Sequence, residues 1–410
     1  MKKLFSTLAI LCALLLLGSL LLMRADLFPS FGADTPVETE HPSAAPSIAI
    51  DPVKSTPAPE ITPEPTPEPT PEPTPSTEQF TISFIGDLTL TSFPTSPVKF
   101  EAVMNGDYSY PLSNVVQYFD SDEYTIGNLE CTFSDQNLYS IETFSFRAPT
   151  ESARILLAGG VDFVTTANNH SDDFNLAGKR DTWDTLERFG ITYGKNDVAQ
   201  IVTTPKGLRL GIYCQFSNAY GDFRPDEEKA LAAIETLKEQ EPDLIICAFH
   251  MGIEMNYYPA EKTPETCAIC RRCIDAGADI IYGSHTHCLQ PIEEYNNGLI
   301  FYSMGNFCFG GSTFPSDQDT AIVQLCVERA PDGSVRIADY TIIPCCVSSL
   351  PITDPNLAAS VRRAKVNYND YRPTPYEEGT EDYARALSKI DGSYDGPDGQ
   401  ADYSDWQAHY

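Results

Sequence analysis

Five apolar runs in this chain each stop at a side chain with lone pairs to offer. "TISFIGD" stops at Asp87, "YTIGNLE" at Glu130, "VDFVTTANNH" at Asn168, Asn169 and His170, "DLIICAFH" at His250, and "ADIIYGSHTH" at His285 and His287. One polar residue where a strand leaves the core means little. Five together mean more, because ligands of layered α/β sheets bind just beyond the carboxyl ends of the strands. The chain has six histidines, and four of them fall at such ends; His41 and His409 do not.

The donor types narrow the chemistry. Carboxylates, imidazoles and a carboxamide, with no thiolate among them, suit a divalent ion such as Mn, Fe or Zn. The set suffices for one ion, or for two that share a carboxylate. Two neighbouring ions activate water and clamp the oxygens of an ester or amide under attack, so hydrolysis is the natural reaction class.

The elements that must position these residues are also readable. From Thr81 onward, short β-branched runs alternate with helical stretches, which predicts an α/β fold with crossover helices. "TPETCAICRRCIDAGAD" reads as a helix with Thr263 as N-cap, Pro264 in the first turn and Gly277 as the stop. Its Cys267, Cys270 and Cys273 would line a face packed on a sheet. An iron–sulfur reading of that spacing lacks a fourth cysteine followed by proline. Cys214, Cys247 and Cys326 sit inside apolar runs and read as small core residues. "YNNGL" predicts a hairpin turn. In the block after it, Ser303 and Asn306 either line the pocket or shape the turn. With Asn168 and Glu254, they are the candidates for substrate contact.

Outside the folded region the reading is compositional. "MKK" and the uncharged stretch from Leu4 to Met23 form a segment (4–23) long enough to cross a bilayer, and no A-x-A cleavage pattern follows it. Lys2 and Lys3 would stay inside, placing the rest of a single-pass chain outside the cell. Residues 24–78, with "TPEPTPEPTPEPTP", read as an extended, disordered spacer. The folded domain is expected over 79–350. The extension 351–410 offers a short helix near Tyr383 to Ile390 and then a Gly/Asp/Ser-rich, mobile end. A net charge of −31 makes nucleic acid an improbable partner, since binding it needs a basic face.

The blocks "FIGDLTL", "GNLECTFS", "FRAPTESARILLAGGVDFVTTANNHSDDFNLAG", "FHMGIEM" and "AGADIIYGSHTHCLQPIEEYNNGLIFYSMGNFCFGG" resemble, in order and spacing, the CapA-type capsule synthesis proteins, also called poly-γ-glutamate synthesis accessory proteins. The resemblance covers about Phe80 to Pro344. That family is similar in fold to the calcineurin-like metallophosphoesterases, which implies a layered β-sandwich flanked by helices. It implies that Asp87 and His287 hold one ion, that Asn169, His250 and His285 hold the second, and that Glu130 bridges them. His170 would protonate a leaving group or orient the substrate, with Asp173 hydrogen-bonded behind it.

The chain also departs from the pattern. Thr89 stands where phosphoesterases of this fold carry a histidine, which puts the first ion in doubt. Leu90, Thr91 and Ser92 offer no arginine of the kind relatives often carry there. Asn175 replaces a glycine and would have to adopt the left-handed conformation. The resemblance implies action on a cell-envelope polymer or its precursor, beside membrane-embedded capsule machinery. Three functions stay open: a metal-dependent hydrolase of phosphoester or amide bonds, a non-catalytic accessory subunit for capsule synthesis or export, and a wall-attached binding module.

Overall fold

The computed structural model describes residues 76–140, 144–352 and 367–396. The predicted membrane segment 4–23 and nearly all of the 24–78 spacer lie outside the described residues. Among those described, no helix is long and apolar enough to cross a membrane.

In chain order the strands are β1 (Glu78–Thr89), β2 (Tyr124–Leu129), β3 (Thr132–Phe133), β4 (Arg147–Ala148), β5 (Phe163–Thr165), β6 (Thr192–Gly194), β7 (Val198–Thr203) and β8 (Arg209–Phe216). They continue with β9 (Leu244–His250), β10 (Ile280–Ser284), β11 (Ile292–Tyr295), β12 (Gly298–Phe301), β13 (Asn306–Phe309), β14 (Asp319–Arg329), β15 (Val335–Cys346) and β16 (Thr374–Pro375). One sheet has the order β16-β15-β14-β1-β2-β5-β6, with β13 also paired to β1; the other has the order β11-β12-β10-β9-β8-β7. β3 and β4 form a small separate pair.

Alternation along the strands explains the layers. Successive side chains of a strand point to opposite faces. Phe80, Ile82 and Phe84 of β1 meet Leu210 and Ile212 of β8, Leu244 and Ile246 of β9 and Ile280 of β10 in one core between the sheets. The outer face of the first sheet is covered by the helices holding Phe100, Ile155 and Leu186. The outer face of the second is covered by helices Glu227–Lys238 and Pro264–Ala276. β9 is buried at every position, as expected of a parallel strand covered on both faces. The result is the expected α/β sandwich flanked by helices.

Local expectations hold as well. The helix Pro264–Ala276 starts with Pro264 at its first position and ends at left-handed Gly277, and Cys267, Cys270 and Cys273 are buried against the second sheet. Thr263 occupies the N-cap position without a side-chain capping bond. Asn296 and Asn297 join β11 to β12 with φ of 47° and 68°, the conformation a two-residue hairpin needs. Asn175 is left-handed at φ 59°. The helix expected near the C-terminus spans Glu381–Ile390, and Ala386 and Ile390 join the core between the sheets. Lys389 is buried with Asp317 at 2.6 Å and Asp319 at 2.7 Å.

Two devices level the strand ends that matter. At the far end, the aspartate just before a strand accepts the backbone N–H of its parallel neighbour: Asp162 from Thr125, Asp243 from Arg209 and Asp279 from Ile245, at 2.7–2.8 Å. At the near end, β1 carries an irregularity between Phe84 and Asp87. Even-numbered residues face the other sheet up to Phe84, but Leu88 and Leu90 face the helices. The irregularity reverses the alternation and so turns Asp87 toward the second sheet. Gly86 permits it, since a Cβ there would lie 2.1 Å from the Gly305 carbonyl oxygen.

Burial pushes the Asp279 carboxyl from its ordinary 3.8 up to about 6, against the Ile245 N–H that favours the charged form. A value raised on folding adds stability that is full below 3.8 and is lost as pH rises through about 6. Asp279→Asn keeps the acceptor and removes the titration. Thermal unfolding should therefore show the wild type losing on the order of 2 kcal/mol more than the variant across that window. Parallel pH profiles for the two would contradict the assignment.

Candidate functional site: a buried donor cluster between the sheets

The two sheets bring their donors to one place. Asp87 on β1, Glu130 just after β2 and Asn169 after β5 come from the first sheet. His250 at the end of β9, with His285 and His287 just beyond β10, come from the second. The sheets are tied beside them by the Tyr282 hydroxyl, which donates to the Ile85 carbonyl at 2.6 Å.

Two sub-clusters share one residue. Glu130, His250 and His285 form one group of converging ligand atoms, and Asp87, Glu130 and His287 form the other. In the first, His250 Nε2 lies 2.7 Å from Asn169 Oδ1, 3.1 Å from His285 Nδ1 and 3.5 Å from Glu130 Oε1. In the second, His287 Nδ1 lies 3.6 Å from Asp87 Oδ2 and 3.9 Å from Glu130 Oε2. Glu130 thus turns one oxygen to each group.

The electrostatics show what such a cluster lacks. Asp87 Oδ2 and both Glu130 oxygens are buried without a hydrogen-bond partner. Burial pushes the Asp87 carboxyl up, opposed by His287 and the Asn128 amide. Burial, and then Asp87, drive Glu130 well above the carboxylate range. Burial, and then neighbouring imidazoles, hold His250 and His285 well below their usual value. Unpaired buried carboxylates cost several kcal/mol each, and His250 Nε2 and His285 Nδ1 stand 3.1 Å apart beside them. A divalent cation among these atoms would reverse every one of these penalties by favouring the carboxylates and taking the imidazole lone pairs. The residues present fit such an ion.

Neighbouring groups hold the donors in place. Asn128 donates to Asp87 Oδ1 at 2.8 Å and accepts from Asn168 at 3.0 Å. The Ser284 hydroxyl lies 2.9 Å from His250 Nδ1, which leaves Nε2 to face the cluster. His285 and His287 have φ of 100° and 54°. Non-glycine residues held there cost on the order of 1–3 kcal/mol each and cluster at functional sites. An aromatic ring stands against every histidine of the site: Phe216 on His250, Phe223 on His285, Phe309 on His287 and Phe146 on His170, with centroids 4.7–5.8 Å apart.

His170 is buried beside the cluster, with Nδ1 at 3.1–3.2 Å from the Asp173 carboxylate. Asp173 is fixed in turn by the Phe146 N–H at 2.8 Å. Of the residues expected to touch substrate, Asn306 stands at the cluster, 2.9 Å from His287 Nδ1. Asn168 is wholly buried, with its amide donating to Asn128 and the Leu129 carbonyl. Ser303 is buried, and its hydroxyl accepts the Gly305 N–H within the turn. Glu254 is half-buried, near enough for its charge to be felt at Glu130. Asn128, Ser284 and the four phenylalanines were not singled out from sequence. The signal for Asn128 was a carboxamide near the end of "YTIGNL", a fully buried strand in which a polar group had to find partners.

Two layered sheets whose strand ends bring two donor groups to one shared carboxylate define an α/β domain with side chains that could hold a metal ion. The family model for bacterial capsule synthesis protein PGA_cap matches residues 81–311, more than half of the chain, and the chain belongs to that family. The PGA biosynthesis protein CapA of Bacillus subtilis (strain 168) is 26% identical over 286 residues, 65% of this chain and 73% of the relative. The capsule biosynthesis protein CapA of Bacillus anthracis is 28% identical over 271 residues, 60% of this chain and 64% of the relative, so the match spans less than two thirds of that protein. Among solved structures, a novel phosphatase of Mycoplasma pneumoniae aligns at 14% identity and a TM-score of 0.41, over 66% of this chain and 94% of its own. That likeness is too slight to bear on fold or function.

Added Mn²⁺ or Zn²⁺ should raise the midpoint of thermal unfolding, by about 2.7 kcal/mol of stability at a hundredfold excess over the dissociation constant. Glu130→Ala should abolish the shift for both groups at once. A variant that still responds like the wild type would remove Glu130 from the shared position.

Proposed function

We propose that this chain is an outward-facing, membrane-anchored protein of capsule biosynthesis, acting on poly-γ-glutamate, an exopolysaccharide or a precursor through a metal-dependent hydrolase site for phosphoester or amide bonds. The observation that carries the hydrolase reading is the division of Glu130, one oxygen toward each donor group. Family membership supports the process. The apolar segment 4–23 and the proline-rich spacer 24–78 support the anchor and the outward placement.

Asp87, Glu130 and His287 would hold one ion, and Glu130, Asn169, His250 and His285 the other, with Mn, Fe or Zn suited to these donors. When bound, such ions would polarise the scissile oxygen and make water a nucleophile near neutral pH. The rest is the chain's own work. Asp173 takes the Nδ1–H of His170, so the proton that His170 exchanges is the one at Nε2. On this reading His170 is the proton donor for the leaving group. Phe216 and Phe223 pack against the buried His250 and His285, where low exposure to water strengthens each polar contact. With a net charge of −31, attraction of an anionic substrate depends on the local positive charge of the ions. Beyond about 8 Å at physiological salt the acidic surface is largely screened.

A second reading draws on Thr89, which is buried with its hydroxyl unpartnered and supplies no imidazole to the first group. On that reading the chain is an accessory subunit that keeps the fold, serves membrane-embedded capsule machinery and lacks turnover.

The deciding assay follows phosphoester and γ-glutamyl amide hydrolysis by the full chain and by His170→Ala, with metal content measured in parallel. The hydrolase reading expects a fall of about 10²- to 10⁴-fold in kcat with metal content unchanged. Bound metal without turnover in the wild type would favour the accessory subunit.

A further inference from the structure

The two donor groups are not equally furnished. One has four donors: Asn169 Oδ1, His250 Nε2, His285 Nδ1 and an oxygen of Glu130. The other has three, from Asp87, Glu130 and His287. Asn306 lies beside the poorer one. β13 runs parallel to β1 with Asn306 in register with Asp87. Its side chain is buried, and its orientation is fixed: Nδ2 donates to the His287 carbonyl at 3.2 Å, which leaves Oδ1 as the atom 2.9 Å from His287 Nδ1. The left-handed backbone of His287 lets its carbonyl and its ring reach the same carboxamide.

That nitrogen is the one aimed at Asp87 Oδ2 and Glu130 Oε2. A carboxamide oxygen against a ligand nitrogen, 2.9 Å apart here, repeats the 2.7 Å contact of Asn169 with His250 in the richer group. Such separations suit two donors sharing one ion, because ligand atoms each about 2.1 Å from a metal and at right angles stand about 3 Å apart. We propose that Asn306 Oδ1 is a fourth donor of the Asp87–Glu130–His287 group, with His287 binding through Nδ1. This rests on the reading of the cluster as a cation site.

The consequence is chemical inequality. The Asp87 group then presents three oxygens and one nitrogen, whereas the Asn169 group presents two of each. Harder ions such as Mn²⁺ suit the first, and Zn²⁺ suits the second. Asn306 supplies from β13 the donor that Thr89 does not supply from β1. The alternative geometry is a hydrogen bond in which His287 Nδ1–H donates to Asn306 and Nε2 does any binding.

Two measurements on the full chain separate these. The first is Mn²⁺ binding by equilibrium dialysis for wild type, Asn306→Ala and Asn306→Asp. The second is NMR of the ¹⁵N-histidine-labelled, ¹¹³Cd-loaded protein, which reads which His287 nitrogen couples to the ion. The proposal expects coupling at Nδ1, and one of two Mn²⁺ sites weakened about tenfold or more in Asn306→Ala. It expects that site recovered or tightened in Asn306→Asp. Coupling at Nε2 with a protonated Nδ1 would overturn the proposal, and so would two unchanged sites in Asn306→Ala. A wild type that binds no ion would sink both this and the hydrolase reading. The expected binding pattern without turnover would sink the hydrolase reading alone.

Discussion

The structure depends on one carboxylate that is buried and unshared by any hydrogen bond. Glu130 has no exposed surface, and its two oxygens face different sets of donors. A lone buried carboxylate is among the costliest groups a fold can hold, and Asp87 close by adds to the cost. Nothing in packing requires an acid at this point, since apolar Leu129 and Cys131 flank it in the core. The arrangement becomes favourable when positive charge lies on both sides of the group.

The fold serves that constraint from two directions. Aspartates before β5, β9 and β10 pin the far ends of parallel strands, so the carboxyl ends finish level. The irregularity in β1 then turns Asp87 across the gap, and the left-handed His285 and His287 turn two imidazoles to meet it. The strain at those two residues is held by the packing around them, with His285 against Phe223 and His287 against Phe309.

Much of this was legible in the sequence, for a physical reason. Strands covered on both faces must be apolar throughout, so a donor at the end of such a run stands out, as His250 does after "LIICAF". The helix bounds at Pro264 and Gly277 and the Asn296–Asn297 turn follow from local backbone preferences that tertiary contacts did not override. What stayed hidden depended on distant contacts. Asn128 and Ser284 look like ordinary polar residues until strand pairing sets Asp87 beside the one in the first sheet and His250 beside the other in the second. Ser303 and Asn306 are three residues apart, yet the one hydroxyl accepts a turn N–H while the other side chain, at the start of β13, reaches the cluster. No local preference separates those outcomes. The reversal of β1 is likewise invisible, because Gly86 marks a close approach without naming its partner.

The most direct test of the shared carboxylate is electron paramagnetic resonance of the fully Mn²⁺-loaded chain. Two ions bridged by Glu130 should be exchange-coupled and give a broadened multiline spectrum, which Glu130→Ala replaces with the six-line signal of unbound Mn²⁺. A simple six-line spectrum from the fully loaded wild type, unaltered by that substitution, would contradict the account.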